Sequence, residues 1–156
     1  MQITIRDARR GDFDDLWQID QLCFQAGIAY SRKELAYYMA AKNAFTLVAE
    51  TGDGGSSAPT KKMGFLVAQK YSRGMGHIIT IDVLPEARRA KVGSQLMTEA
   101  EARLKAGGCA SIFLEAAVNN EAAIKFYKKR GYFVLKTIPR YYNGELDAFL
   151  LGKDLK

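Results

Sequence analysis

Arg88, Arg89 and Lys91 stand together in one short turn, Arg88-Arg89-Ala90-Lys91-Val92-Gly93-Ser94, directly after an apolar strand expected at residues 78–83. The turn opens onto a helix that carries Leu96, Met97, Ala100 and Leu104 on one face, the spacing of an amphipathic helix. A strand that turns straight into a helix aims several unbonded backbone N–H groups, and the positive end of the helix, at one point. That geometry binds phosphate oxygens, and the three basic side chains add charge to it. The chemistry expected here is capture of a phosphate-bearing cofactor.

Other elements must hold this turn in place. Residues 3–6 read as a strand, and Asp12 as the cap of a helix with Phe13, Leu16, Trp17, Cys23 and Phe24 at helical spacing. Ser31-Arg32-Lys33-Glu34 has the capping-box pattern and predicts a second helix over residues 32–41. Strands at 44–50 and 63–69 flank a Gly- and Ser-rich flexible turn at 51–60, and another strand is expected at 77–83. The helix after Gly93 stops at Gly107-Gly108. A strand at 111–117, a short helix begun by Asn119-Asn120, and strands at 133–138 and 147–151 complete the chain, with a connection at 141–145. The order β-α-α-β-β-β-α-β-α-β-β predicts an α/β (α+β) fold. Its mixed, mostly antiparallel sheet has about seven strands, with helices on both faces.

The 156 residues, 48% hydrophobic and 26% charged, suit one soluble domain spanning residues 1–156. No apolar run reaches about 18 residues, so no membrane span is expected. The N-terminus alternates like a strand and has no signal-peptide pattern. Cys23 and Cys109 show no ligand spacing and read as reduced core residues of a cytoplasmic protein. With His77 the only histidine, no His-based metal site is expected, and His77 itself reads as a strand-edge residue. The net charge of +6 suits a polyanionic partner. No RNA-binding signature is present, so a nucleotide cofactor is favoured over nucleic acid.

Three segments recur in order along the last two thirds of the chain: the turn at 88–93, the block Leu114-Glu115-Ala116 through Asn119-Asn120 to Phe126-Tyr127 and Gly131-Tyr132, and Arg140-Tyr141-Tyr142 through Asp147-Ala148. Together they resemble the GNAT superfamily of acetyl-CoA-dependent N-acetyltransferases. The third segment is similar to the bacterial ribosomal-protein alanine N-acetyltransferase (RimI-like) branch and its archaeal relatives. The family turn is Gln/Arg-x-x-Gly-x-Gly/Ala, and Lys91 replaces its first glycine. If that position needs φ > 0, Lys91 is strained by about 1 kcal/mol or more.

The chemistry implied by the resemblance is direct attack of a free amine on a thioester. An α-amine (pKa about 8) or a lysine (about 10.4) is mostly protonated at neutral pH, so a base must take its proton, and the departing thiolate needs one. The resemblance places Glu115 as general base and Tyr127 as the acid that protonates the thiolate. On pattern alone, Glu115 is a polar residue on an outward strand face and Tyr127 a core aromatic. The resemblance assigns acetyl-CoA (coenzyme A) to Ile81, Asp82, Val83, to the turn Arg88, Arg89, Ala90, Lys91, Val92, Gly93 and Ser94, and to Asn120, Ala123 and Tyr127. Asn120 also reads as a helix cap. The acceptor side falls to Phe24, Ala29, Tyr30, Tyr141, Tyr142 and Asp147. The Asp82 carboxylate is either a second base or ammonium anchor, or a salt-bridge partner. The expected acceptor is a protein N-terminus, with the enzyme a monomer or homodimer. Alternatives are a small amine (polyamine, aminoglycoside or amino acid), which a carboxylate-rich pocket of Asp82, Glu115, Glu145 and Asp147 would favour in the polyamine case, and a non-catalytic acyl-CoA-binding module. Cys109 reads as core rather than nucleophile.

Overall fold

The architecture is built from eleven elements: β1 (Ile3–Asp7), α1 (Phe13–Cys23), α2 (Arg32–Ala40), β2 (Ala44–Thr51), β3 (Lys62–Lys70), β4 (Met75–Val83), α3 (Val92–Ala106), β5 (Ser111–Ala117), α4 (Glu121–Lys129), β6 (Phe133–Tyr142) and β7 (Leu146–Asp154). They come from a computed structural model that describes residues 2–52 and 59–155. The element order is the expected one. The middle of the Gly- and Ser-rich turn, residues 53–58, lies outside the described residues.

Local chemistry explains most boundaries. Ser31 and Glu34 close the capping box of α2: Glu34 N–H donates to Ser31 Oγ (3.1 Å) and Ser31 N–H donates to Glu34 Oε1 (2.9 Å). Asp12 differs from expectation. Its side chain does not cap α1; it accepts the Arg9 N–H (2.6 Å) and a two-bond grip from the Arg6 guanidinium (2.9 and 3.1 Å). Arg6 also donates to Glu50 (3.0 Å), so one guanidinium ties β1, β2 and the start of α1 together. The final hairpin is longer than expected. Asn143 and Gly144 take φ of 54° and 71°, the left-handed pair that Asn-Gly supplies at a tight hairpin, and the ladder continues to Tyr142↔Leu146. Pro139 and the left-handed Arg140 (φ 54°) interrupt it, where Asp147 Oδ1 accepts the Arg140 N–H at 2.9 Å.

The strands form one sheet in the order β1-β2-β3-β4-β5-β7-β6. Every neighbouring pair is antiparallel except β4 and β5. That parallel pairing is short: Met75↔Ser111, Gly76↔Ile112 and His77↔Phe113. Immediately beyond it β4 bulges. Val67 pairs with Thr80 and Ala68 with Ile78, leaving Ile79 as the extra residue. A bulge bends its strand and adds twist, and past it β4 and β5 separate into a cleft. Gly64 permits the β3 approach beneath the far end of β4, since a Cβ there would lie 2.5 Å from the Asp82 carbonyl oxygen.

Helices cover both faces. α1 and α2 pack Leu16, Ile19 and Leu35 on Val48, Phe65 and Val67. On the other face, Leu96, Met97, Ala100 and Leu104 of α3 meet Leu47, Leu66, Ile78, Ile112 and Leu114, and Ile124 and Tyr127 of α4 join the same core. Glu101 on α3 fixes the end of α4 by accepting from Tyr132 Oη (2.7 Å), Lys153 Nζ (3.1 Å) and Arg130 Nη2 (3.3 Å). Among the described residues, no helix is long and apolar enough to cross a membrane.

Candidate active site

The gap between β4 and β5 opens into a cleft of about 360 Å³. Its floor is Ile78, Ile79, Thr80 and Ile81 from β4, with Leu114, Glu115, Ala116 and Ala117 from β5. Asn119, Asn120, Ala123 and Tyr127 supply the wall before and along α4, Cys23, Phe24, Gln25, Ile28 and Tyr30 the wall from the end of α1 and the segment that follows it, and Tyr142 closes one side. Glu115 is the only charged side chain in this lining. A lone carboxylate among neutral walls attracts a cationic group and has little competition for it.

Glu115 is mostly shielded, with its side chain 12% exposed, and its Oε1 lies 2.8 Å from His77 Nε2. His77 Nδ1 is in turn 2.8 Å from the Tyr71 hydroxyl, and its ring stacks on Phe113 (4.3 Å between centroids, 11° between planes). Across the cleft, Tyr127 is buried on α4 and wedged between Phe126 and Tyr132 in edge contacts. Burial holds its phenol well above the usual range, so it keeps a proton to give. Burial does the same to Tyr142 and Tyr30. Tyr30 is fixed by its N–H donating to Asp20 Oδ2 (2.7 Å) and by Tyr38 packed against its ring (5.3 Å). Asn120 caps α4 through Oδ1, which accepts the Ala123 N–H at 3.2 Å. Its amide N–H groups remain for a ligand.

The basic turn has the expected form with one surprise. Residues 85–90 make a 3-10 turn, then Lys91 adopts φ 62°, ψ 24°, the left-handed conformation a glycine takes freely. The N–H groups of Val92, Gly93 and Ser94 precede the first intrahelical bond of α3, Gln95 N–H to Lys91 O (3.1 Å), and so are free of the helix ladder. Arg89 and Lys91 are exposed beside them. Arg88 instead turns back and donates from Nε to the Val83 carbonyl (3.1 Å), which also accepts the Cys23 thiol (3.3 Å). The Val83 carbonyl is therefore already occupied. Gly93 leaves room for Phe126, whose Cζ would lie 3.4 Å from a Cβ at that position.

Of the expected site residues, Phe24, Tyr30, Ile81, Glu115, Asn120, Ala123, Tyr127 and Tyr142 meet in the cleft. Four acceptor-side residues do not, among them Ala29. Tyr141 packs edge-on against Tyr142 from outside, 45% exposed. Asp147 is engaged with Arg140 N–H. Asp82 corrects the expectation of an ammonium anchor or second base: its side chain is buried on the α1 face of the sheet, where Thr80 Oγ1 donates to Oδ1 at 2.6 Å. Among the described residues, its Oδ2 and Oδ1 of the equally buried Asp20 have no hydrogen-bond partner. Burial, and then Asp20 beside it, raise the Asp82 carboxyl well above its ordinary range, which favours its protonated form. No salt bridge forms there among the described residues. Sequence reasoning missed His77 and Tyr71, because the parallel register that brings His77 beside Glu115 leaves no local pattern. Neither cysteine is paired.

Comparison with known proteins decides the family. The model of the acetyltransferase (GNAT) family matches residues 13–132. The chain belongs to that family. This acetyltransferase is 31% identical to an N-alpha-acetyltransferase of Sulfurisphaera tokodaii over 162 residues, covering 99% of this chain and 94% of the relative. Its structure is similar to Ard1 from Thermoplasma volcanium (TM-score 0.85, 26% identity, 100% and 99% of the two chains). It shares its fold with the ribosomal-protein-S18-alanine N-acetyltransferase from Escherichia coli (TM-score 0.82, 22% identity, 99% and 95%). The protein is an acetyl-CoA-dependent N-acetyltransferase. The turn has the donors such a cofactor's phosphates need: amides of residues 92–94 outside the helix ladder, a left-handed Lys91 and the exposed cations Arg89 and Lys91 stand together there.

Proposed function

We propose that this acetyltransferase acetylates the N-terminal α-amine of a protein or peptide, with Glu115 as general base and Tyr127 as general acid. The observation that carries the reading is that Glu115 and Tyr127 line one cleft in the gap between β4 and β5. Bound acetyl-CoA supplies the acetyl thioester. Ile81 on the open edge of β4, Asn120 and Ala123 at the start of α4, and the amides of residues 92–94 with Arg89 and Lys91 would hold it. Glu115 takes a proton from the acceptor ammonium and frees its lone pair for attack. Tyr127, kept protonated by burial, gives its proton to the departing sulfur. Phe24, Tyr30 and Tyr142 wall the acceptor from water.

The kinship to proteins named N-alpha-acetyltransferase supports an α-amine. The cleft supports it too, because a polyamine acceptor calls for several carboxylates and Asp82, Glu145 and Asp147 are absent from the lining. The test is Glu115→Gln, which keeps size and hydrogen-bonding capacity but removes basicity. Acetylation of N-terminal peptides should fall most at low pH and recover as the acceptor's own amine deprotonates, near pH 8 for an α-amine and nearer 10 for a lysine. Wild-type rates at pH 6.5 would remove Glu115 from the mechanism.

A further inference from the structure

We infer that His77 is a positioning residue for Glu115, with its tautomer set by Tyr71. The inference rests on the proposed role of Glu115 and adds two residues to it. His77 sits on the last rung of the parallel pairing, opposite Phe113. Glu115 is the next side chain on the same face of β5, where the strands have begun to part. The imidazole therefore stands at the root of the cleft and reaches the first acidic group inside it, Nε2 to Oε1 at 2.8 Å. Stacking on Phe113 fixes the ring plane. Both partners are largely withdrawn from water, at 13% and 12% exposure.

Hydrogen-bond logic then assigns each proton. An ionised carboxylate only accepts, so Nε2 must carry the hydrogen. In the neutral imidazole Nδ1 then accepts, and the Tyr71 hydroxyl, 2.8 Å away, is its donor. Burial and the nearby Glu115 charge both favour the protonated phenol. The chain Tyr71 O–H to Nδ1, Nε2–H to Oε1 is satisfied at every link. It commits one oxygen of Glu115 to the protein. The other, Oε2, takes no hydrogen bond from the described residues and is left for the acceptor. No proton moves along this chain during turnover; its task is to hold the base in one orientation.

The experiment exploits the fact that His77 is the chain's only histidine. In the wild-type protein, ¹⁵N spectra of the imidazole should show the Nε2–H tautomer, and Tyr71→Phe should turn this into a mixture. A wild-type imidazole in the Nδ1–H form overturns the inference without any variant having to fold. In turnover, His77→Leu should lower kcat on the order of 10–100-fold, the scale of losing a hydrogen bond to a charged group, with KM for acetyl-CoA unchanged. His77→Gln retains an N–H donor and should recover much of that loss. Equal loss in the Leu and Gln variants, or wild-type kcat in His77→Leu, refutes the positioning role. The Glu115→Gln variant separates the two ideas: if it is impaired while His77→Leu is not, the base stands and the positioning role falls. If Glu115→Gln turns over like wild type, the base reading itself has failed.

Discussion

Replacing Asp82 by Asn tests the buried acid pair beneath the acceptor wall. In the folded protein, burial and Asp20 hold the Asp82 carboxyl protonated well above its ordinary 3.8. In the unfolded chain it ionises near that ordinary value. Between the two the native state binds one more proton than the unfolded state, so stability falls as pH rises, by about 1.4 kcal/mol per pH unit for one proton. The loss begins near the unfolded pKa and stops once the folded pair itself ionises. Asn cannot ionise, yet its carbonyl can accept from Thr80 Oγ1 and its amide can donate to Asp20. One amide hydrogen is left unpaired in a buried place, which costs about 1–3 kcal/mol at every pH. The two stability curves should therefore cross. Asp82→Asn should be the less stable protein near pH 4. It should then gain on the wild type with a relative slope approaching one proton, about 2.7 kcal/mol over two pH units. Urea unfolding at closely spaced pH values from 4 to 8 reads this directly. Parallel curves would mean that Asp82 is ionised in the native state.

Tyr127→Phe should lower kcat by at most about 10²–10⁴-fold and leave acetyl-CoA affinity intact, because the hydroxyl acts only as the thiolate departs; an unchanged kcat in steady-state assays would reassign Tyr127 to packing. Acetyl-CoA binding followed by calorimetry should weaken as salt rises from low to physiological levels, since Arg89 and Lys91 are exposed and their charge is screened. Salt-independent affinity would move the phosphates away from this turn.

Much of this architecture is legible in the sequence. The capping box of α2, the Gly107-Gly108 stop and the helical face of α3 are local signals, set within a few residues, and each forms where its pattern predicts. The anion turn is equally local, and the left-handed Lys91 stands where the motif has glycine. What stayed hidden depends on partners far apart in the chain. Asp12 has the pattern of a cap because the local sequence cannot show that the Arg6 guanidinium and the Arg9 N–H will claim its carboxylate. Asp82 looked like a site residue because its neighbours Ile81 and Val83 did. Strand alternation then turned its carboxyl to the opposite face, onto an aspartate 62 positions away. His77 is hidden for the same reason in reverse: 38 positions separate it from Glu115, and only the parallel register joins them.

The shortness of the β4–β5 pairing has a further consequence for how the molecule behaves among other chains. Past His77 and Phe113, two strand edges face each other with no strand between them. An unpaired edge is a template on which foreign strands can add, and proteins ordinarily blunt such edges with charge, proline or a covering loop. Here the blunting is done by shape. Phe24 and Ile28 on one side and Asn120 and Tyr127 on the other wall the opening, so the edge of a second sheet cannot come alongside. The walls that line the cleft thus also protect this open edge from the edge-to-edge pairing by which sheets aggregate.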